Sequence, residues 1–368
     1  MVSNPNQRSA PDYGLFAITI ALLCIGVVMV YSASSVRAYI QIGDAAYYLK
    51  RQVMWIIIGL SALYCTYKIN YHRWTALAWP LMLFAVGSLI VVIAIGDVVS
   101  GSKRWIEFGF FNYQPTELAK FALILFFAVY FSRLPKDNVL TFNKGFLIPV
   151  FWIGIIDLLI MLQPDFGSFI VISGIWLIML FVAGVRGEYL AGLLALGVPA
   201  AFVLAWIEPY RMRRITAFLN PWADPADSGY QTIQSLLALG SGGFFGLGLG
   251  QSRQKFAYLP ANHTDFIFAI LGEELGLLGT LTVLALFILF AWRGYRVALK
   301  ASDRLGALLA TGITSMIVFQ AIINIGVISG AMPITGITLP LISYGGSSLA
   351  ITLGSIGVLL NISANSAR

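Results

Sequence analysis

An acidic residue at the start of an apolar run is the first place in this 368-residue sequence where chemistry could reside. The stretch YLPANHTDFIFAILGEELG puts Asp265 where the hydrophobic residues begin, His263 two positions before it, and Glu273 and Glu274 two helical turns after it. By helical rise the two glutamates lie about 12–13 Å deeper. A carboxylate at the edge of a low-dielectric region has its pKa raised by desolvation and can act as a general base. The same residue at a helix start is also an ordinary cap or dipole partner, and on sequence both readings stay open. Glu273 and Glu274 at that depth must face protein or water rather than lipid. His263 could assist a base, but a single loop histidine is more often merely exposed.

Asp265 closes the one long hydrophilic segment, residues 207–265. That segment opens on Arg211, Arg213 and Arg214 and passes through Asn220-Pro221-Trp222 with Asp224, Pro225 and Asp227, which read as turns. Residues 230–239 are expected to form a short helix with an apolar stripe at Ile233, Leu236 and Leu237, lying on the membrane surface. Next comes GSGGFFGLGLGQSRQK, with six glycines between 240 and 250. No Gly-Lys-Ser/Thr follows, and no strand–turn–helix frames it, so it is neither a nucleotide P-loop nor a dinucleotide fingerprint. It is either a flexible or tightly turned loop or a backbone that closely approaches a phosphate or sugar. Any energy for chemistry must then come from the substrate itself. No nucleic-acid partner is expected. The two Cys and two His lie far apart and make no conventional zinc site.

The elements that position these residues are membrane helices. Hydrophobic residues make up 59% of the chain and charged residues 11%, and mean hydropathy is +0.84. A soluble domain carries about twice that charge fraction. Apolar runs at 14–34, 51–67, 74–96, 116–132, 146–163, 168–185, 189–206, 266–292, 305–328 and 344–362 predict an all-α polytopic membrane protein of about ten transmembrane helices, one membrane domain over residues 1–368. With the N-terminus in the cytoplasm, cytoplasmic segments hold twelve Lys and Arg and outer segments ten, half of them in the long loop. Setting that loop aside leaves twelve against five, so both termini are expected inside. Lys103, Arg104, Arg211, Arg214, Arg253 and Lys255 then stand outside, against the insertion bias. They are either headgroup contacts or a site for an anionic, membrane-bound substrate. Within the spans, Glu117 and Lys120 share a helix face, and Asp157 on the antiparallel next span falls at similar depth, which predicts a Glu117–Lys120–Asp157 charge cluster. Such a cluster either locks helix packing or walls a substrate cavity. Gln320 and Asn324, one turn apart, add a polar stripe that can glue helices together. Cys24 and Cys65, inside apolar runs, are expected to be buried structural thiols.

Several blocks resemble, in order and over essentially the whole chain, the signature stretches of the SEDS (shape, elongation, division, sporulation) family. They are YSASS (31–35), YYLKRQ (47–52), KRWIEFG (103–109), QPTELAKF (114–121), QPDFGS (163–168), residues 229–260, HTDFIFAILGEELG (263–276) and ITLPLISYGGSS (337–348). The wording of GLGLGQSRQKFAYLP and TLPLISYGGSS is more similar to the FtsW and SpoVE branch than to RodA. Thr116 stands where Ser is usual, and Asp157 belongs to no such block.

The resemblance implies a ten-helix SEDS fold with an outward-facing cavity in the bacterial cytoplasmic membrane. It also implies a peptidoglycan glycosyltransferase that polymerises lipid II during division, with Asp265 on the family's catalytic position. The partners it implies are a class B penicillin-binding protein (an FtsI-like transpeptidase), other divisome proteins and membrane lipid. The candidate substrate-binding residues are Lys103, Arg104, Glu117, Lys120, Arg211, Arg214, Arg253, Lys255, Glu273, Glu274, Ser343 and Ser347. No cofactor is called for, although a divalent cation, Mg or Mn, is a further source of charge for a leaving pyrophosphate. The rivals are a lipid II flippase, using the intramembrane charges as a headgroup path, and a non-catalytic divisome scaffold.

Overall fold

The computed structural model describes residues 10–99, 102–107, 109, 112–207, 209–256 and 259–366. Helix α1 (Tyr13–Ile42) starts where the Asp12 side chain accepts from the Leu15 N–H, and stops at left-handed Gly43. Helix α2 (Tyr47–Lys68) returns antiparallel, and a 3-10 segment (Tyr71–Leu77) leads into α3 (Ala78–Ile95). A small antiparallel sheet follows, β1 (Asp97–Val99), β2 (Ser102–Glu107) and β3 (Asn112–Tyr113), in the order β1-β2-β3. Hydropathy gives no sign of it, because its strands are short and polar.

Helix α4 (Pro115–Arg133) begins with proline in its first turn, where the missing N–H costs nothing. A single turn, α5 (Lys136–Val139), leads to α6 (Ile148–Met161) and α7 (Phe166–Ala183), the latter capped by Asp165. Then come α8 (Gly187–Ile207), α9 (Pro209–Leu219) and α10 (Tyr230–Gly242). Helices α11 (Ile267–Leu299), α12 (Arg304–Ile328) and α13 (Gly346–Ala364) complete the bundle.

Eight of the described helices are long and apolar enough to cross a membrane. The other two expected spans coincide with α2 and α8, of 22 and 21 residues, enough to cross about 30 Å of hydrocarbon. Helices α4, α12 and α13 are buried along most of their length and form the centre. Helices α1, α3 and α6 turn large apolar side chains outward, as lipid-facing helices do. Cys24 and Cys65 correct the sequence reading. Both are free thiols on the exposed faces of α1 and α2, because an apolar run that contacts lipid gives its residues no need to point inward.

The eighth span is not continuous. Gly276 has φ +66 and ψ −160, which breaks α11 after its first turns. Broken backbone in a membrane needs partners from within the protein, and the glycine-rich loop supplies them. Leu247 N–H donates to the Glu273 carbonyl at 2.9 Å and Gly248 N–H to the Glu274 carbonyl at 3.0 Å. In return Leu277 N–H donates to the Gly243 carbonyl at 2.9 Å. A Cβ on Gly246 would sit 2.1 Å from the Glu274 carbonyl oxygen, so only glycine admits this docking. The glycines therefore make a tight turn against α11. The expected short helix is α10: it packs on α11 and α12 with Thr232, Ile233, Ser235 and Ala238 buried, keeps Leu236 and Leu237 exposed, and the Ser235 hydroxyl donates to the Ile328 carbonyl at 3.0 Å.

Candidate active site

Asp265 stands at the end of the bundle that also carries the sheet, the start of α7 and the 207–265 segment. It is half-buried, and its side chain does not cap α11, whose N-cap is Phe266 with no side-chain hydrogen bond. The hydrogen-bonded cap is therefore not formed, although Asp265 still precedes the N-terminal end of the α11 dipole. Two devices fix its backbone. Asn324 on α12 donates to the Asp265 carbonyl at 2.8 Å and to the Ile337 carbonyl at 2.6 Å. The Ser343 hydroxyl accepts from Leu339 N–H at 2.8 Å and donates to the Thr264 carbonyl at 2.6 Å.

Two cations and one acid surround the carboxylate. Arg104 projects from β2 to Asp165 at 3.7 Å and donates to the carbonyls of Gln163 and Pro164. Arg214 reaches from α9 to the Ile334 carbonyl at 2.7 Å. Burial pushes the Asp265 pKa up to about 6; Arg104 and Arg214 hold it down against that and Asp165 raises it further. An acid held there is a carboxylate at neutral pH yet basic enough to take a proton. Arg214 also lines a cavity of about 420 Å³ together with Arg213, Asp227, Tyr230, Gln231 and Ile334. The positive charges that act on Asp265 in the structure are the guanidiniums of Arg104 and Arg214.

The other sequence candidates divide by surroundings. Lys255 donates to Glu274 at 3.1 Å and to the Gly250 carbonyl at 2.5 Å, and Glu274 also accepts from the Ser32 hydroxyl at 2.7 Å. Glu273 accepts from the Ser252 hydroxyl at 2.5 Å and from Arg253 N–H at 2.9 Å. The two glutamates thus answer to the 250–255 segment, and Arg253 keeps its side chain exposed. Lys103 follows β2 alternation to the face opposite Arg104. Arg211 lies on α9, and its side chain is outside the described residues. Ser347 accepts from Gln114 N–H at 3.3 Å, joining α13 to the start of α4.

His263 is buried, not exposed. Its ring packs 4.5 Å from Tyr48 and 5.8 Å from Tyr344, and its Nδ1 is 3.1 Å from Asn262 Oδ1. Burial, with Arg37 nearby, lowers its pKa to about 4, so at neutral pH it is an uncharged packing residue.

The intramembrane cluster is half as expected. Lys120 donates to Glu117 at 2.8 Å and to Gln320 at 2.7 Å, and Glu117 accepts from Ser348 at 3.0 Å. Asp157 is not part of it: α6 turns this residue toward α7, where it accepts from the Ser173 hydroxyl at 2.9 Å. Similar depth on antiparallel helices did not place the two side chains on facing surfaces.

The family model described as "Cell cycle protein", labelled for FtsW, RodA and SpoVE, matches residues 13–368. The chain belongs to this family. It is 46% identical to stage V sporulation protein E of Bacillus subtilis, over 97% of this chain and 98% of that protein. It is 44% identical to the probable peptidoglycan glycosyltransferase FtsW of Geobacter metallireducens, over 96% and 94% of the two chains. Among solved structures, it is similar to a chain from work on a peptidoglycan synthase complex that coordinates polymerization and crosslinking, with TM-score 0.81, 31% identity and coverage of 98% and 99%. It is similar as well to the rod shape determining protein RodA of Thermus thermophilus, with TM-score 0.73, 28% identity and 98% coverage of each chain.

Within an FtsW/RodA/SpoVE chain, the family blocks are where the described residues converge. The QPDFGS block supplies Asp165, KRWIEFG supplies Arg104, HTDF supplies Asp265, and ITLPLISYGGSS supplies the Ile337 and Ser343 anchors. Two contributors lay outside the sequence candidates. Asp165 lies within the QPDFGS block but drew no reading of its own from the residues. Asn324 reads only as helix glue, because its target, a backbone carbonyl 59 positions away, leaves no local pattern.

Proposed function

We propose that this chain is a peptidoglycan glycosyltransferase that polymerises lipid II, with Asp265 as general base. The observation that carries the reading is Asp265 itself, a half-buried, uncapping carboxylate between Arg104 and Arg214. In the reaction Asp265 removes the proton from the 4-hydroxyl of an acceptor GlcNAc. That oxygen forms a bond to C1 of the donor MurNAc as the bond from C1 to the pyrophosphate oxygen breaks. One displacement inverts the anomeric centre and leaves undecaprenyl pyrophosphate, whose charge Arg104 and Arg214 offset. No nucleotide is consumed, in keeping with a glycine-rich segment that serves α11.

The distribution of Lys and Arg supports an orientation with both termini in the cytoplasm and Asp265 on the outer face, where lipid II is polymerised. The likeness to a chain of a peptidoglycan synthase complex supports a penicillin-binding transpeptidase as partner, within a larger set of division proteins. A flippase would need intramembrane charge open to a headgroup, whereas Glu117, Lys120 and Gln320 are buried, with Lys120 donating to both of the others.

The test is purified protein with lipid II, assayed for glycan product and, in vesicles, for transbilayer movement. Product from the wild type and a fall of about 10²–10⁴ in rate for Asp265→Asn, with partner binding kept, is expected. Transbilayer movement without product would replace polymerase by flippase. Normal product from Asp265→Asn would move the base elsewhere.

A further inference from the structure

At the end of the bundle opposite Asp265, three basic residues ring a second cavity, of about 480 Å³. Arg293 and Arg296 lie on the last turns of α11 and Lys300 is its C-cap, at spacings of three and four, so they share one face. The start of α1 and the end of α13, through Asp12, Gly14 and Ser363, close the other sides. Among the described residues Asp12 is the one carboxylate lining the cavity. It is committed to the α1 cap and to Arg293 at 3.2 Å. Arg296 and Lys300 are exposed and, among the described residues, have no carboxylate partner. Among the described residues, then, Arg296 and Lys300 give the cavity two positive charges without a paired carboxylate. Gly14 matters to its shape: a Cβ there would sit 2.8 Å from the Arg293 guanidinium carbon, so glycine lets that side chain lie flat on α1.

The surroundings say which anion is at hand. Trp292, beside the cavity, is 53% exposed, Tyr13 is 68% exposed and Leu299 is 87% exposed. Amphipathic rings mark the headgroup level of a membrane, and both Arg293 and Arg296 lie over the Trp292 ring, at 5.2 and 5.6 Å. Acyl chains can run down the apolar flank while a phosphate enters among the cations. Basic pockets between helix ends are sites for anionic headgroups. We propose that this cavity binds the phosphodiester headgroup of an anionic membrane phospholipid. The site clamps the start of α1 to the ends of α11 and α13, away from the reaction centre.

The competing role for these residues is to offset the carbonyl dipole at the end of α11. Native mass spectrometry of the full chain in detergent, titrated in turn with phosphatidylglycerol, phosphatidylcholine and inorganic phosphate, separates the two. The proposal expects retained phosphatidylglycerol in preference to both others, and binding about 10–30-fold weaker in Arg296→Gln/Lys300→Gln. The control Lys136→Gln/Lys144→Gln removes the same charge at the same end away from the cavity and keeps full binding. Equal retention of the two lipids, inorganic phosphate bound as well as phosphatidylglycerol, or equal losses in both double variants would each overturn it. Unchanged phosphatidylglycerol binding with lowered stability in Arg296→Gln/Lys300→Gln would leave only the dipole role.

Discussion

Asn324 holds the backbone of Asp265: its amide donates to the Asp265 carbonyl at 2.8 Å while bridging to Ile337 at 2.6 Å. One buried side chain of α12 thus ties the segment before α11 to the segment after α12. The carboxylate itself stays free of this bond, so Asn324 sets where the base is and not what its charge is.

Asn324→Ala should therefore lower kcat by up to about 10²-fold, the scale of a misplaced reacting group, without moving the pH at which activity falls off. Steady-state kinetics with lipid II across pH checks this. A residue that only packed helices would lower the yield of folded protein and leave turnover per folded molecule unchanged.

The Glu117–Lys120–Gln320 group predicts a second pattern. Lys120→Met strands Glu117 in the bundle with only Ser348 and should cost about 3–5 kcal/mol. Asp157 answers to Ser173 instead, so a double-mutant cycle of Lys120→Met with Asp157→Asn should show coupling below about 0.5 kcal/mol. Unfolding midpoints in SDS titration of the four proteins measure it. Coupling of several times that size would put Asp157 back into the cluster.

The clamp on the glycine-rich segment gives a third. Lys255 and Glu274 are both buried and 3.1 Å apart. Glu274→Gln leaves the ammonium without a counter-charge and should destabilise the 243–255 segment by about 3 kcal/mol or more. Gly276→Ala meets a positive φ and a Cβ 2.3 Å from the Gly246 amide nitrogen, so it should undock the same segment. Limited proteolysis within 243–255, faster in both variants than in the wild type, is the expected readout. Unaltered cleavage would mean that the segment is held by other contacts.

How much of this was legible in the sequence depended on the range of each interaction. The spans were legible because burial in lipid demands long apolar runs, and Glu117 with Lys120 was legible because both lie on one helix face. The break at Gly276 was not: DFIFAILGEELG reads as one helix, and only the docking of Gly246 thirty positions earlier explains a glycine there. The direction of Asp157 was likewise hidden, since depth follows from sequence but rotation about the α6 axis follows from packing. Arg104 was recognisable as a cation, yet its aim at Asp165 depends on a sheet of short polar strands that hydropathy does not reveal.

The fourth prediction concerns the titration of Asp265. Its pKa stands near 6, raised by burial and lowered again by Arg104 and Arg214. A base must be deprotonated to act, so kcat/KM should rise about tenfold per pH unit up to pH ~6 and level off above it. Removing a neighbouring positive charge favours the protonated acid, so Arg104→Gln should move this limb to higher pH. Removing a neighbouring negative charge does the reverse, so Asp165→Asn should move it to lower pH, while Asn at position 165 still caps α7. The raised pKa also has a sign for stability. A carboxyl whose folded pKa exceeds its unfolded value favours folding while protonated, and that contribution is lost as pH rises through ~6. Asp265→Asn removes the desolvated charge, so it should melt no lower than the wild type at neutral pH while making almost no glycan. A limb that stays in place in both the Arg104 and the Asp165 variants would show that the titrating group is not Asp265.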